Sequence, residues 1–181
     1  MFLKLSLFSL NLTKNLTVLD KLNDLLNEYG ESHQNKLNKT IHWFCVPLIF
    51  WSIVAIVSII PRPDLFSQLF ESFEINWAML ALLFIMVYYI SLSFSLSIGM
   101  LIFSLVCLFS IIYVDGLLIR INAPFGISQC SLFVFVVSWI LQFYGHKVEG
   151  KKPSFLKDIQ FLLIGPLWLL SFLYSRFKIP Y

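Results

Sequence analysis

The sequence predicts an all-α fold: a polytopic membrane helical bundle of about five membrane segments, preceded by an amphipathic helix. Three observations predict it. Hydrophobic residues fill 59% of 181 positions and charged residues only 13%, and mean hydropathy is +0.83, well outside the range of soluble domains. Several apolar runs approach the roughly 20 residues that cross a bilayer as a helix. The 19 Phe and 5 Trp suit contact with lipid. A chain of this length reads as one domain over 1–181, with an N-terminal arm over 1–40 and a membrane bundle over 41–175.

In the arm, Leu16, Leu19, Leu22, Leu26 and Tyr29 recur at helical spacing, with Asp20, Lys21, Asp24 and Glu28 on other faces. The pattern predicts a helix over 16–29. Thr17 with Asp20 has the form of a capping box, and Gly30 is a stop signal. Such a helix either lies in the membrane interface or packs on the rest of the protein. Met1–Leu12 has no small-residue cleavage site, so no removable signal peptide is expected. The sequons at Asn11, Asn15 and Asn38 are expected to be chance matches, because the arm is placed in the cytosol.

After the polar segment Glu31–Thr40, a first membrane run covers 41–60, closed by Pro61 and Pro63. An acidic connection over 62–76 holds Asp64, Glu71 and Glu74. The apolar stretch Trp77–Val114 is too long for one crossing and is predicted to split near Ser93–Ser97 into two helices with a tight turn. Residues 115–128, with Gly116, Pro124 and Gly126, read as a loop. A fourth run covers Gln129–Tyr144. The last, Ile159–Tyr174, contains Gly165-Pro166 and is expected to be kinked or re-entrant.

Lysine and arginine set the orientation. The arm carries Lys4, Lys14, Lys21, Lys36 and Lys39, and the segment after the fourth run carries Lys147, Lys151, Lys152 and Lys157. The connections at 61–76 and 115–128 have one basic residue each, Arg62 and Arg120. Both basic regions are therefore expected on the cytoplasmic side, separated by four crossings. That parity puts His33, His42 and His146, the chain's three histidines, on one membrane face.

The net charge of +3 is small and scattered, so nucleic-acid binding has no support. Cys45, Cys107 and Cys130 have no CxxC spacing and read as small buried hydrophobes. Trp43, Trp51, Trp77 and Trp168 read as interfacial anchors or lipid-facing residues. Polar chemistry is confined to two clusters. In the first, His33-x-Asn35-x-x-Asn38-x-x-x-His42, the two histidines lie nine positions apart and fall on opposite faces of a straight helix, so a shared site needs a bend. In the second, Gln142, His146 and Glu149 share a helix face and Gly145 permits close approach of another helix.

Three neutral imidazoles, or two with a carboxylate, suit iron, zinc or copper. Asn35, Asn38, Gln142 and Glu149 are candidates for orienting the ring nitrogens that do not bind metal. A lone interfacial histidine is more often a packing residue than a ligand, and each lysine is more often a topology signal than a substrate contact. A non-enzymatic scaffold or docking protein, a haem or electron carrier with two axial histidines, and another histidine-metal lipid enzyme therefore stay open on the residues alone.

The string Tyr29-x-x-x-His33-x-Asn35-x-x-Asn38-x-x-Ile41-His42-x-x-x-x-Pro47 resembles the opening signature of the Mpo1-like family. Trp139-x-x-Gln142-Phe143-x-Gly145-His146, then Glu149, Lys151-Lys152-Pro153 and Gly165-Pro166, resembles its second signature. Order and spacing agree over about residues 20–175, although in His146-Lys147-Val148-Glu149-Gly150-Lys151-Lys152-Pro153 the family pattern often has a Phe before the acidic residue and one more residue between the His and the Pro. The resemblance implies an iron(II)-dependent dioxygenase of 2-hydroxy fatty acids, performing α-oxidation with loss of one carbon. It implies Fe2+ as cofactor, His33, His42 and His146 as metal-binding and catalytic residues, and a 2-hydroxy fatty acid and O2 as substrates. Lys147, Lys151 or Lys152 would attract the substrate carboxylate. The expected location is the bacterial inner membrane or, in a eukaryote, the endoplasmic reticulum, with the histidines on the cytoplasmic face.

Overall fold

Helix boundaries in this chain fall where apolar runs meet proline, glycine or a capping side chain. In the computed structural model, which describes residues 19–61, 75–153 and 160–181, all regular structure among the described residues is helical. The helices are 19–31 (α1), Lys36–Ser58 (α2), Trp77–Leu92 (α3), Phe94–Arg120 (α4), Ile127–Glu149 (α5) and Phe161–Arg176 (α6). Three of them, α2, α4 and α5, are long and apolar enough to cross a membrane. The other two apolar helices, α3 and α6, have 16 residues each. That is about 24 Å at 1.5 Å per residue, short of a bilayer's roughly 30 Å hydrocarbon thickness.

α1 continues the predicted amphipathic pattern, with Thr17 outside the described residues. Its apolar face packs on the protein: Leu22, Leu26 and Tyr29 are buried in the common core. α2 starts five residues before the expected run, because Asn35 caps it, accepting from the Leu37 and Asn38 N–H groups at 2.8 and 3.4 Å. The long apolar stretch does split where serines gather. Ser93 is extended, and its hydroxyl caps α4 through Leu96 N–H at 3.2 Å. The acidic connection predicted over 62–76 lies outside the described residues up to position 74.

Two expectations are corrected. Residues 115–120 are helical rather than loop: Leu117, Leu118 and Ile119 carry the apolar pattern past Asp115 and Gly116, and the chain turns only at Asn122, with φ 50°. α5 also runs beyond Tyr144 to Glu149. His146 and Lys147 sit in its last turn, where positive charge suits the helix end, and Gly150 stops it with φ 73°. α6 passes through Pro166 without a break.

α2 is central, packing along α5 and touching α3, α4 and α6. Hydrogen bonds pin the bundle between helices: Trp51 Nε1 to Ser110 Oγ at 2.9 Å, Tyr89 Oη to Leu163 O at 2.9 Å, and Tyr174 Oη to Ser95 O at 2.8 Å. The outward faces of α4 and α5 expose Phe109, Ile112, Phe133 and Ile140, an arrangement that fits an integral membrane protein.

Candidate metal centre

The site forms where the start of α2 meets the end of α5. The bend that His33 and His42 need is present: α1 stops at residue 31, the chain turns through 32–35, and α2 restarts at Lys36. The turn is tied by His33 N–H to Gly30 O at 3.0 Å and Ser32 N–H to Tyr29 O at 3.4 Å. His146 arrives from α5. Ring centroids lie 4.2 Å apart for His33 and His42, 4.9 Å for His33 and His146, and 5.0 Å for His42 and His146. None of the three is more than 4% exposed. One ligand nitrogen from each lies within 4.8 Å of the others.

The hydrogen bonds decide which nitrogens are bare. His33 Nδ1 meets Tyr29 O at 2.5 Å, and His42 Nδ1 meets Asn38 O at 2.9 Å. A carbonyl only accepts, so each Nδ1 carries the proton and each Nε2 keeps its lone pair. His146 is reversed: its ring donates to the main chain of Lys151, and its Nδ1 is bare. His33 Nε2, His42 Nε2 and His146 Nδ1 are buried without a hydrogen-bond partner. Each such atom costs roughly 1–3 kcal/mol if nothing fills the gap. One cation shared by three lone pairs removes all three costs, so these residues fit a bound metal. Burial, followed by the neighbouring His42 charge, lowers the His33 pKa to about 3, so its lone pair is available at neutral pH.

Glu149 fastens the turn from across the bundle. Its Oε1 accepts from Gln34 N–H at 2.8 Å, and its Oε2 accepts from Asn35 N–H at 2.8 Å and Asn38 Nδ2 at 3.1 Å. Asn38 Nδ2 also donates to Ser32 O at 3.0 Å. This contact requires Gly145: a Cβ there would run into Asn38 Oδ1. Lys151 Nζ donates to Glu31 O at 2.8 Å, holding the end of α1.

The sequence assigned ring orientation to the side chains of Asn35, Asn38, Gln142 and Glu149. The structure gives it to main-chain carbonyls instead. Asn35 is a helix cap, Asn38 and Glu149 are the clamp, and buried Gln142 lines a cavity beside His146. Lys147 and Lys152 are exposed, as is Lys151.

Sequence reasoning missed one wall. Trp168 was read as interfacial or lipid-facing, yet it is buried, 5.2 Å from the His33 ring and 5.3 Å from Tyr29. Tyr29 stacks on His33 at 4.2 Å with the planes 12° apart. The signal for Tyr29 was its four-residue spacing from His33. For Trp168 it was its place one turn after Gly165, whose Cβ position lies 2.9 Å from Tyr29 Oη. The cavity, about 440 Å³, is lined at this end by Tyr29, His33, Gln142 and His146, and it continues between α2 and α3 to Val57 and Ala78.

Fold and site together define a membrane-embedded helical bundle with a buried three-histidine pocket opening on an apolar cavity. Residues 19–177 match the model of the family described as Mpo1-like, 2-hydroxy-palmitic acid dioxygenase Mpo1-like, and the chain belongs to that family. No curated protein and no solved structure matches it significantly.

Proposed function

We propose that the protein is an iron(II)-dependent dioxygenase that shortens 2-hydroxy fatty acids by one carbon at a membrane face. The observation that carries this reading is the convergence of three bare imidazole nitrogens, two of them on rings, His33 and His146, that line one end of a largely apolar cavity. The family description, which names a 2-hydroxy-palmitic acid dioxygenase, supports the substrate class.

His33 Nε2, His42 Nε2 and His146 Nδ1 would hold Fe2+, which when bound supplies a Lewis acid and a redox centre for dioxygen. Everything else is the work of the chain's own groups. The Tyr29, Asn38 and Lys151 carbonyls fix the three rings. The Glu149–Asn38 clamp keeps the 32–35 turn against α5. Tyr29 and Trp168 shield His33 from water. The cavity takes the acyl tail and leaves the carboxylate and hydroxyl at the histidines. Lys147 and Lys152 supply positive charge near that end, whereas Lys151 is engaged with Glu31. The balance is 2-hydroxy acid plus dioxygen giving the acid one carbon shorter, carbon dioxide and water: the C1–C2 bond breaks, carbon is oxidised and dioxygen is reduced.

The test is turnover of 2-hydroxypalmitate by the protein in detergent with iron(II) under air, followed by mass spectrometry. The expected result is pentadecanoate, absent without oxygen. No shortened acid from any chain length, with iron demonstrably bound, would overturn the reading.

A further inference from the structure

The cavity extends well past the histidines. Trp77 Nε1, at the start of α3, donates to Pro61 O beyond the end of α2 at 3.1 Å. Tyr89, near the end of α3, donates to Leu163 O of α6, whose Gly165 lies against Val46. The two helices are therefore antiparallel. Val46 marks the histidine end of the cavity, and Val57 with Ala78 marks the other end. The eleven helical steps from Val46 to Val57 span about 16 Å at 1.5 Å per residue.

Every α2 and α3 residue that lines the cavity is apolar, whereas Tyr29, His33, Gln142 and His146 gather at one end, and the remaining polar wall residue, Gln160, precedes Phe161, whose ring lies 6.2 Å from Tyr29. A long apolar space with one polar end fits an amphiphile with a single unbranched tail. At the far end the α3 wall is small: Ala78 is 2% exposed, and Ala81 follows it one turn later. A methyl group there leaves room for the last carbons of a chain, and a larger side chain would occupy that room.

We propose that Ala78, with Val57 opposite, forms the floor of an acyl channel and sets the longest chain the protein accepts. The headgroup assignment rests on the dioxygenase reading; the floor does not need it.

The test compares the full-length protein with Ala78→Phe, Val57→Ala and Met79→Phe. Met79 is partly exposed on the same turn and does not line the cavity. Binding of 2-hydroxyoctanoate, 2-hydroxylaurate, 2-hydroxypalmitate and 2-hydroxylignocerate is read by displacement of a fluorescent fatty acid, and turnover is read in parallel. Ala78→Phe is expected to weaken palmitate-length and longer ligands about tenfold or more while keeping the shorter ones, since pockets discriminate at roughly that scale per methylene. Val57→Ala is expected to shift the profile towards longer chains, and Met79→Phe to leave it unchanged.

A profile that does not move in either floor variant overturns the proposal. So does uniform loss in Ala78→Phe together with an unchanged profile in Val57→Ala. Shifted binding without turnover of any acid would sustain the channel and remove the dioxygenase reading. Turnover with an unmoved profile would do the reverse.

Discussion

The first half of α2 builds the histidine centre and the second half lines the cavity beside it, with different chemistry. From its cap at Asn35 to His42, α2 is polar where it is buried: Asn38 and His42 are fully enclosed, tied to Ser32, Glu149 and a main-chain carbonyl. From Val46 to Val57 the cavity-facing residues are apolar, with Phe50 tilted against Phe103 at 5.2 Å. In a low-dielectric interior a polar network is stable when complete and costly when one member is missing. Apolar walls lose stability in proportion to the volume removed. Mutations in the first half should therefore act as switches, and mutations in the second half as graded adjustments.

The largest effect expected is at the histidines. His33→Ala, His42→Ala and His146→Ala should each reduce bound iron, measured by elemental analysis of the purified protein, and abolish shortened fatty acid. Retained iron and turnover in any one of them would remove that ring from the centre.

Next in size is pH. His33 titrates near 6.5 in an unfolded chain and at about 3 when folded, chiefly because it is buried. Between those values the unfolded state binds more protons, so stability rises with pH across that window. It is complete above about 6.5 and is lost towards 3, at up to roughly 1.4 kcal/mol per pH unit for this one group. Metal-free protein unfolded with denaturant at a series of pH values should show that slope. His33→Asn should flatten it, and an equal slope in the variant would assign the effect elsewhere.

What the sequence made legible follows the same division. The polar half was readable, because His33, Asn38, His42 and His146 are conspicuous in an apolar chain. The bend between His33 and His42 was deducible from helical phase alone. The role of Glu149 was not: a carboxylate that caps a turn more than a hundred residues away leaves no local pattern. The channel was invisible for a different reason. Val54, Val57 and Ala78 look like any bilayer-spanning residues, and only packing separates a residue that faces a cavity from one that faces lipid. Trp168 was misread on the same ground.

Glu149→Gln sharpens the contrast at intermediate size. The amide keeps one acceptor oxygen where three donors now converge on two, so the turn carrying His33 should loosen. A fall in iron affinity of about 10- to 100-fold is expected, with the fold kept. Iron titration read alongside circular dichroism separates the two. An unchanged affinity would mean that the main-chain bonds at Tyr29 and Gly30 hold the turn unaided.

The smallest effects come from a pair of glycines that differ only in what surrounds them. Gly145 and Gly116 both lie inside helices, where alanine is the better helix former by about 0.5–1 kcal/mol. A Cβ at Gly116 meets nothing within 4 Å, so Gly116→Ala should raise thermal stability by about that amount. At Gly145 the same methyl would strike Asn38 Oδ1 and lie 3.3 Å from Ile41. Asn38 cannot retreat without leaving Glu149 and Ser32, so Gly145→Ala should instead cost about 1–3 kcal/mol and weaken iron binding with it. Thermal unfolding of the two variants side by side measures the difference. Equal stabilisation by both would show that the polar half of α2 yields as readily as the apolar half, and the division along that helix would fail.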